Sequence, residues 1–294
     1  MSDLIKLGWN EFFESQLTDE ERQHAVVARI VEPSRGLSRA VCRFGEVWAE
    51  SKDKANVAGP SVGDWVVGAV RDFSAGEKRL SIDRLLQRQN KLSRTAPGGQ
   101  GYEQILCANV DTAFIVIALN QNLNLRAVER YLEIVKDNAI QAVLVVTKVD
   151  EGTDPGPIIS ELERVAPKIT VHPISVKQKR GLDPIHDYFL KSKTVVLLGA
   201  SGAGKSTLVN YLIQTNLQRV EEVRGDDQKG RHTTTGRRLH SLPTGGMVID
   251  SPGIREIQKW EAPPPKITPG KAKEKTRPQV FRSSRISHYT DDDE

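Results

Sequence analysis

One short segment, Gly199–Ser206, constrains the fold of this chain more than any other part of its sequence. It reads GASGAGKS, which fits the pattern G-x-x-x-x-G-K-S, and it stands between the apolar run TVVLL and the helix-forming run TLVNYLI. The glycines of such a segment let the backbone curl so that its N–H groups point at phosphate oxygens, next to a helix N-terminus that already favours anions. The motif therefore predicts a strand, a phosphate-binding loop and a helix in succession.

The residues of this loop have distinct predicted roles. Lys205 is placed to reach the β- and γ-phosphates of a nucleotide, and the Ser206 hydroxyl is placed to bind Mg²⁺. The alternative, an accidental glycine-rich turn, does not account for the strand and the helix on either side. The predicted nucleotide-binding residues here are Gly199, Ala200, Ser201, Gly202, Ala203, Gly204, Lys205, Ser206 and Thr207.

The hydrophobic pattern around the loop predicts the fold class. Near-continuous apolar runs, typical of strands buried on both faces of a mostly parallel sheet, occur in DTAFIVIAL, AVLVVTKVD, ITVHPISV, TVVLLGASGAGKS and GGMVIDSPG. The segment NLRAVERYLEIVKDN between the first two has apolar residues at helical spacing, namely Leu125, Val128, Leu132 and Val135. Alternating strands and helices predict an α/β domain over residues 105–260.

The segment Thr147-Lys148-Val149-Asp150 indicates which base is bound. It stands at the end of the predicted strand AVLVV, where the Asp150 carboxylate could accept hydrogen bonds from both N1–H and the exocyclic amine of guanine, with the Lys148 stem covering the ring. Adenine offers no matching pair of donors, and a site that hydrogen-bonds one group rejects analogues that lack it. Ser175 and Val176 follow the next strand, where a backbone turn would contact the guanine oxygen.

Two further segments predict the γ-phosphate sensors. Asp250-Ser-Pro-Gly253 follows the strand GGMVI, a context in which a D-x-x-G turn brings an acid near Mg²⁺ and a glycine amide near the γ-phosphate. Upstream, the loop GRHTTT contains threonines that could complete the Mg²⁺ shell only when the γ-phosphate is present, as in a switch. Thr234 is favoured for this role, with Thr233 as the alternative.

The first part of the chain predicts a separate β domain. From His24 to Leu92, short β-branched runs alternate with turn residues: HAVVARIV, SRAVCRF, EVWAE, GDWVVGAV and RLSIDRLL. Their spacing of about ten residues predicts a small antiparallel barrel or sandwich. Interspersed Arg and Lys favour an oligonucleotide-binding (OB) barrel over residues 20–95 that contacts RNA or the ribosome. The alternative is a barrel that only packs on its neighbour.

The segments around these two domains carry no chemical motif. Residues 1–19 form an N-terminal extension, in which Thr18 or Asp19 could cap a short helix. The segment RTAPGGQGYEQ after the barrel predicts a linker. Residues 261–294 contain five prolines, scattered charges and few large apolar residues, so we expect a disordered tail.

Charge is unevenly distributed along the chain. The formal net charge is +4, yet residues 266–290 hold seven Lys or Arg against one Glu, and residues 20–95 hold fourteen against ten acids. Two basic regions around a near-neutral middle favour contact with a polyanion. A solvated surface with a basic tail is the alternative.

Cysteines and apolar runs exclude several protein classes. Cys42 and Cys107 are 65 positions apart without a nearby Cys or His partner, which excludes a disulfide framework and a four-ligand zinc site. No apolar run approaches the roughly 18 residues of a membrane span. The start MSDLIKLGWNEFF has acids where a signal peptide is basic and then apolar. We expect a cytoplasmic monomer that does not bind a membrane.

The order of the motifs is circularly permuted, because Lys148 and Asp150 precede Gly199 by about fifty residues, whereas most GTPases begin with the phosphate loop. With this order and the motifs TKVD, ISV, GASGAGKST, GRHTTT and DSPG, the chain resembles the ribosome small-subunit-dependent GTPase A family of bacteria. The resemblance covers residues 20–260, including SVGDW in the barrel and ILCANVDTAFIV at the entry to the next domain.

This resemblance implies an OB barrel followed by a circularly permuted P-loop GTPase domain. It implies a protein that binds the 30S ribosomal subunit and its 16S rRNA, hydrolyses GTP to GDP under stimulation by the subunit, and assists late 30S maturation. GTP or GDP and Mg²⁺ are the implied ligands, with Ser206, Thr234 and Asp250 around the metal. Members usually continue into a zinc domain with three Cys and one His, whereas no cysteine follows Cys107, so no zinc is expected in this chain.

Catalysis raises one further question. Ile254 follows Gly253, at a position where many GTPases have a glutamine that orients water. His232 is the titratable residue beside the switch threonines that could orient or deprotonate water, and a loop histidine that contacts solvent or RNA is the alternative. The predicted catalytic residues are His232, Thr234, Asp250 and Gly253.

Two other functions stay open. A P-loop ATPase or small-molecule kinase would share the phosphate loop but would not need the TKVD segment. A non-catalytic RNA-binding protein with a dead nucleotide site would keep the barrel and the basic tail.

Overall fold

A computed structural model describes most of the chain up to residue 250. The described ranges are 2–34, 36–51, 59–73, 77–95, 103–151, 154–221, 237–242 and 245–250. The predicted disordered tail, 261–294, lies outside them, as do residues 96–102 of the predicted linker. Within these ranges, no helix combines the length and the apolar character that crossing a lipid bilayer would require.

Three short helices form the N-terminal segment: α1 (Ser2–Lys6), α2 (Glu11–Glu14) and α3 (Asp19–His24). Thr18 caps α3 in a reciprocal capping box with Glu21, which settles the choice left open between Thr18 and Asp19. The segment packs against the following domain through aromatic rings. Trp9 and Phe13 lie with their ring centroids 4.8 Å and 5.7 Å from that of the buried Trp65.

Five strands then close a barrel: β1 (Val26–Glu32), β2 (Leu37–Cys42), β3 (Gly45–Ser51), β4 (Trp65–Asp72) and β5 (Lys78–Leu85). Their order around the barrel is β1-β2-β3-β5-β4, and Ala28, Ile30, Val66 and Leu80 fill its interior. The predicted OB barrel is confirmed. One pair differs from the predicted antiparallel pattern, because β3 and β5 run parallel.

A two-stranded hairpin, β6 (Lys91–Thr95) with β7 (Glu103–Ala108), stands where a linker was predicted. The linker prediction is wrong for both ends of RTAPGGQGYEQ, since Arg94 pairs with Gln104. The hairpin is stabilised by Leu92 and Leu106, which are fully buried. The apolar stretches on either side of the Pro- and Gly-rich segment are short, so the sequence gave little sign of these strands.

A six-stranded sheet follows: β8 (Thr112–Ala118), β9 (Gln141–Thr147), β10 (Val171–Pro173), β11 (Thr194–Leu198), β12 (Arg238–Ser241) and β13 (Met247–Asp250). The strand order is β10-β9-β8-β11-β13-β12, and only β12 runs antiparallel to its neighbour. The central strands β8 and β11 are almost wholly buried on both faces. The predicted α/β domain is confirmed.

Helices cover the two faces of this sheet: α4 (Leu125–Asp137), α5 (Gly156–Val165), α6 (Asp183–His186), the 3₁₀ segment Asp187–Ser192 and α7 (Lys205–Glu221). The Asn124 side chain caps α4 by accepting a hydrogen bond from the Ala127 amide. The predicted apolar stripe of α4 is broader than expected. Tyr131 and Ile134 are buried with Val128 and Val135, whereas Leu125 and Leu132 are only partly buried.

Candidate functional site

The candidate site lies along one edge of the six-stranded sheet. Five strands, β10, β9, β8, β11 and β13, are parallel, so their carboxyl ends meet at this edge. Ligands of open α/β sheets bind outside the carboxyl ends of the strands. Every segment with a predicted nucleotide role in the described residues follows one of these strands, so the fold brings them to a common edge.

The phosphate loop connects β11 to α7, which begins at Lys205. Its three glycines have positive φ: +135° at Gly199, +75° at Gly202 and +92° at Gly204. A Cβ on Gly199 would lie 2.3 Å from the Val116 carbonyl oxygen of β8, so only glycine fits there. The loop therefore curls tightly against the sheet, and its amides precede the first turn of a 17-residue helix.

The last residues of the phosphate loop, where α7 begins, carry polar side chains. Lys205 Nζ donates hydrogen bonds of 2.8 Å and 2.5 Å to the carbonyl oxygens of Gly199 and Ala200. Ser206 and Thr207 are exposed, whereas Ala203 is buried against the sheet. The Lys205 side chain thus reaches from the start of α7 to the first residues of the loop, close to where the motif would place phosphates.

Thr147 joins the predicted base-reading segment to the phosphate loop. It ends β9, is buried, and its hydroxyl donates a 2.7 Å hydrogen bond to the Ala203 carbonyl oxygen. The hydroxyl also lies 3.3 Å from the Ile117 carbonyl oxygen on the intervening strand β8. These contacts fix the position of the TKVD segment relative to the loop.

Lys148 follows with φ of +62°, a left-handed conformation that non-glycine residues seldom adopt. Its ammonium group donates a 3.3 Å hydrogen bond to Asn120 Oδ1, and the Asn120 amide donates 2.6 Å to a Glu151 carboxylate oxygen. Asn120 therefore holds the lysine and is itself held by Glu151. Backbone strain of this kind clusters at ligand sites.

Asp150 and Ser175 form the other end of the site. Ser175, fully buried after β10, donates a 2.6 Å hydrogen bond to Asp150 Oδ1. This bond lowers the pKa of the Asp150 carboxyl below its ordinary value. A turn closes behind Ser175, in which the Arg180 amide bonds to its carbonyl and the Lys179 amide bonds to Val176. An ionised carboxylate can accept two hydrogen bonds from a base.

Asp250 is the last residue of β13, next to the strand that leads into the phosphate loop. It is half-buried and pairs with Arg238 of β12 across the hairpin. The other predicted γ-phosphate and catalytic residues lie outside the described residues, namely His232, Thr233, Thr234 and Gly253. Among the described residues, no cluster of three or more His, Cys, Asp or Glu could hold a metal ion.

Two site residues were missed by the sequence analysis. Asn120 holds Lys148, and Gln121 Nε2 donates a 3.2 Å hydrogen bond to the Ser201 carbonyl oxygen of the phosphate loop. Both directly follow β8, which lies between the base-reading strand and the phosphate-loop strand. The available signal was the polar pair Asn120-Gln121, which comes shortly after an apolar run that was predicted as a strand.

Comparison with known proteins gives matches over most of the chain. A model of the RsgA GTPase family matches residues 85–260. A Vibrio vulnificus protein named small ribosomal subunit biogenesis GTPase RsgA 2 is 37% identical over 258 residues, which cover 87% of this chain and 70% of that protein. A Methanosarcina acetivorans protein named small ribosomal subunit biogenesis GTPase RsgA is 37% identical over 264 residues, which cover 85% of this chain and 68% of that protein.

Solved structures share the fold. YjeQ from Thermotoga maritima superimposes with a TM-score of 0.57 at 22% identity, covering 78% of this chain and 75% of that one. YloQ, described as a circularly permuted GTPase, superimposes with a TM-score of 0.54 at 22% identity, covering 82% of this chain and 76% of that one. The order seen here, in which the strand ending at Thr147 precedes the phosphate-loop strand, agrees with that description.

Proposed function

The chain belongs to the RsgA GTPase family, and from that membership we propose that it binds the small (30S) ribosomal subunit, hydrolyses GTP under stimulation by the subunit, and assists the late maturation of that subunit. We propose that it acts as a cytoplasmic monomer. We propose four segments: an extension at 1–19, an RNA-binding barrel at 20–95, the GTPase domain at 105–260 and a basic tail at 261–294.

One observation carries the nucleotide part of the proposal, namely the 2.7 Å bond from Thr147 to Ala203. It joins the segment that would read guanine to the loop that would bind phosphates. An adenine-specific ATPase would have no need of Asp150 and its Ser175 partner at this edge. The paired arrangement therefore favours a guanine nucleotide over the ATPase or kinase alternative.

Mg²⁺ fits the donor set of the site. The Ser206 hydroxyl and the Asp250 carboxylate are hard oxygen donors, and Mg²⁺ is commonly held by one or two such groups together with substrate phosphates. We propose these two residues and Thr234 as its protein ligands. A bound Mg²⁺ would neutralise charge on the β- and γ-phosphates. The chain's own contribution is the curled loop, whose amides and Lys205 bind and orient the phosphates.

We propose that hydrolysis is slow without the subunit. Ile254 cannot orient water as a glutamine would, so His232 is the proposed residue that positions or deprotonates the attacking water. In this proposal the subunit brings the His232 loop into place, with Thr234 and the Gly253 amide at the γ-phosphate.

The barrel supports RNA as the partner. The aromatic rings of Phe44 and Phe73 are about half exposed, and each lies under a cationic group. Arg39 covers Trp48 at 4.0 Å from the ring centroid. Arg39, Phe44 and Trp48 belong to the β2–β3 hairpin. Phe73, in contrast, directly follows β4 and lies under Arg79 of β5. OB folds bind oligonucleotides on their strand 2–3 face. Exposed rings with cations suit unpaired bases and phosphates, so we propose contact with 16S rRNA.

The test is GTP turnover by the purified protein with and without purified 30S subunits. We expect low turnover alone and a large increase with subunits, and we expect the S206A variant to stay inactive in both. Protection against thermal unfolding by GDP but not by ADP separates a GTPase from an ATPase or kinase. No turnover at any subunit concentration would favour the RNA-binding protein with a dead nucleotide site.

A further inference from the structure

The hairpin of β12 and β13 joins the candidate site to the barrel. Its strand β13 ends at Asp250, and its strand β12 begins at Arg238, four residues after Thr234 in the sequence. Arg238 and Asp250 are direct partners in the antiparallel register. Directly opposed residues project their side chains from the same face of a sheet. The two residues therefore lie side by side, and any movement of Arg238 takes place directly next to Asp250.

Arg238 is held by carboxylates of the barrel. Its guanidinium lies 3.3 Å from Glu32 at the end of β1 and 3.7 Å from Glu46 on β3. Glu46 is shared, since it also accepts a 2.9 Å hydrogen bond from Arg39. Arg39 in turn covers the Trp48 ring, on the barrel face proposed above to meet RNA. A continuous ionic chain thus runs from this face to the residue opposite Asp250.

The two ends of the hairpin are held very differently. At the start of β13, Met247 is fully buried, and its sulfur accepts a 3.1 Å contact from the buried Arg29 of the barrel. At the other end, the Arg238 pairs are roughly one-third exposed on both sides. Ion pairs with this much exposure contribute little to stability. The Arg238 pairs therefore hold the Asp250 end of the hairpin to the barrel less firmly than the buried Met247 contact holds the other end.

We propose that Arg238 is a positioning residue through which polyanion binding on the barrel sets Asp250. The proposal rests on the proposed function, because the polyanion is the RNA of the subunit. A phosphate that binds Arg39 removes the 2.9 Å partner of Glu46. Arg238 is then the nearby cation in the described network that compensates the freed carboxylate. Its closer pairing with Glu46 draws the start of β12, and with it the Asp250 end of β13, towards the barrel.

The first test measures GTP turnover at saturating 30S subunits for the full chain. For R238Q and E46Q we expect subunit-stimulated kcat to fall by about five- to tenfold, within the usual range of allosteric coupling, while KM for GTP stays within about twofold. R238K keeps a cation and should retain most of the stimulation. The matched control is R164Q, which removes an exposed arginine of α5 whose described partner is Glu161 on the same helix.

The second test needs no ribosome. In R39Q the Glu46 carboxylate loses its competing cation, so basal turnover should rise by about two- to fivefold. The double variant R39Q/R238Q should lose this increase, because Arg238 carries the effect. A merely structural role for these residues would produce no gain in any variant.

The outcomes separate the two proposals. If subunits do not stimulate the wild type, the proposed function fails, and a basal increase in R39Q alone would still support the inference. If the wild type is stimulated but folded R238Q and E46Q are stimulated equally well, the inference is overturned and the proposed function stands. Equal basal rates in R39Q and the wild type would also overturn it.

Discussion

Ser175, at the start of the turn that follows β10, donates a 2.6 Å hydrogen bond to Asp150, which follows the neighbouring strand β9. The serine is fully buried and also accepts a hydrogen bond from the Gln178 amide, so its hydroxyl is fixed in direction. This geometry keeps one carboxylate oxygen occupied and the carboxyl ionised. A carboxylate has several acceptor positions, so hydrogen bonds from a base can be accepted beside that of Ser175.

The first prediction concerns base choice. Asn in place of Asp150 offers one donor and one acceptor, which suit N1–H and the extra carbonyl of xanthine and no longer match guanine. D150N should therefore lose GTP affinity and gain affinity for xanthosine triphosphate. Competition binding against a fluorescent GDP measures both. Unchanged GTP affinity in a folded D150N would remove Asp150 from the base site.

The second prediction concerns pH. The Ser175 hydrogen bond holds the pKa of Asp150 below its ordinary value, so the carboxylate persists to lower pH than an unpaired aspartate. In S175A the pKa should rise towards the ordinary value, and loss of GDP affinity on acidification should begin at a higher pH. Carboxyl chemical shifts measured by NMR give the Asp150 titration directly. An identical titration in S175A and wild type contradicts this account.

A third prediction concerns Thr147, which holds the base-reading segment on the phosphate loop. T147V keeps the shape but leaves the Ala203 carbonyl without its 2.7 Å donor. We expect a loss of about 1–2 kcal/mol in the free energy of unfolding and weaker GDP binding. The control is T112V, because Thr112 is also a buried threonine but stands at the start of β8, away from the edge of the sheet where Thr147 lies. It should leave GDP affinity unchanged, and equal GDP affinity in both variants would show that Thr147 serves stability alone.

The sequence predicted the strands and motifs of the GTPase domain because buried parallel strands are continuous apolar runs and the phosphate loop has a fixed spacing. It could not predict β12, since RLHS is too short to show a period. It also gave no sign of Arg29. In an alternating strand an arginine faces solvent, but here that outer face is covered by the N-terminal segment and by β13, so the arginine is buried. Such contacts depend on tertiary packing.

A fourth prediction concerns the exposed rings of the barrel. Phe44 lies under Arg43 and Lys78, and Phe73 lies under Arg79. If unpaired bases stack there, F44A and F73A should each weaken binding to 30S subunits by about 1–3 kcal/mol. F12A removes a partly exposed ring of α2 and serves as the control. Affinities measured for the three variants at one salt concentration test this, and equal values would remove stacking from the barrel surface.

The last prediction concerns Arg29, the buried cation between the N-terminal segment, the barrel and the sheet. Its guanidinium donates to the carbonyl oxygens of Leu7, Gly63 and Asn109. Burial lowers its pKa to about 10, so it stays charged at neutral pH. R29M would leave the Leu7 and Asn109 carbonyls without these donors, whereas the Gly63 carbonyl would keep the Asn109 side-chain amide as a donor. Because each unsatisfied buried group costs about 1–3 kcal/mol, the free energy of unfolding should fall by about 2 kcal/mol or more.

The control for Arg29 is Arg22 of α3, whose ion pairs with Glu14 and Asp19 are exposed. R22M should cost less than about 1 kcal/mol. R29K, which keeps the charge but not the planar fork, should fall between wild type and R29M. Urea unfolding followed by tryptophan fluorescence suits the measurement, because Trp65 lies 5.5 Å from the guanidinium. Equal stability of R29M and R22M would mean that water replaces the lost donors, and the barrel and the sheet would then not depend on this residue.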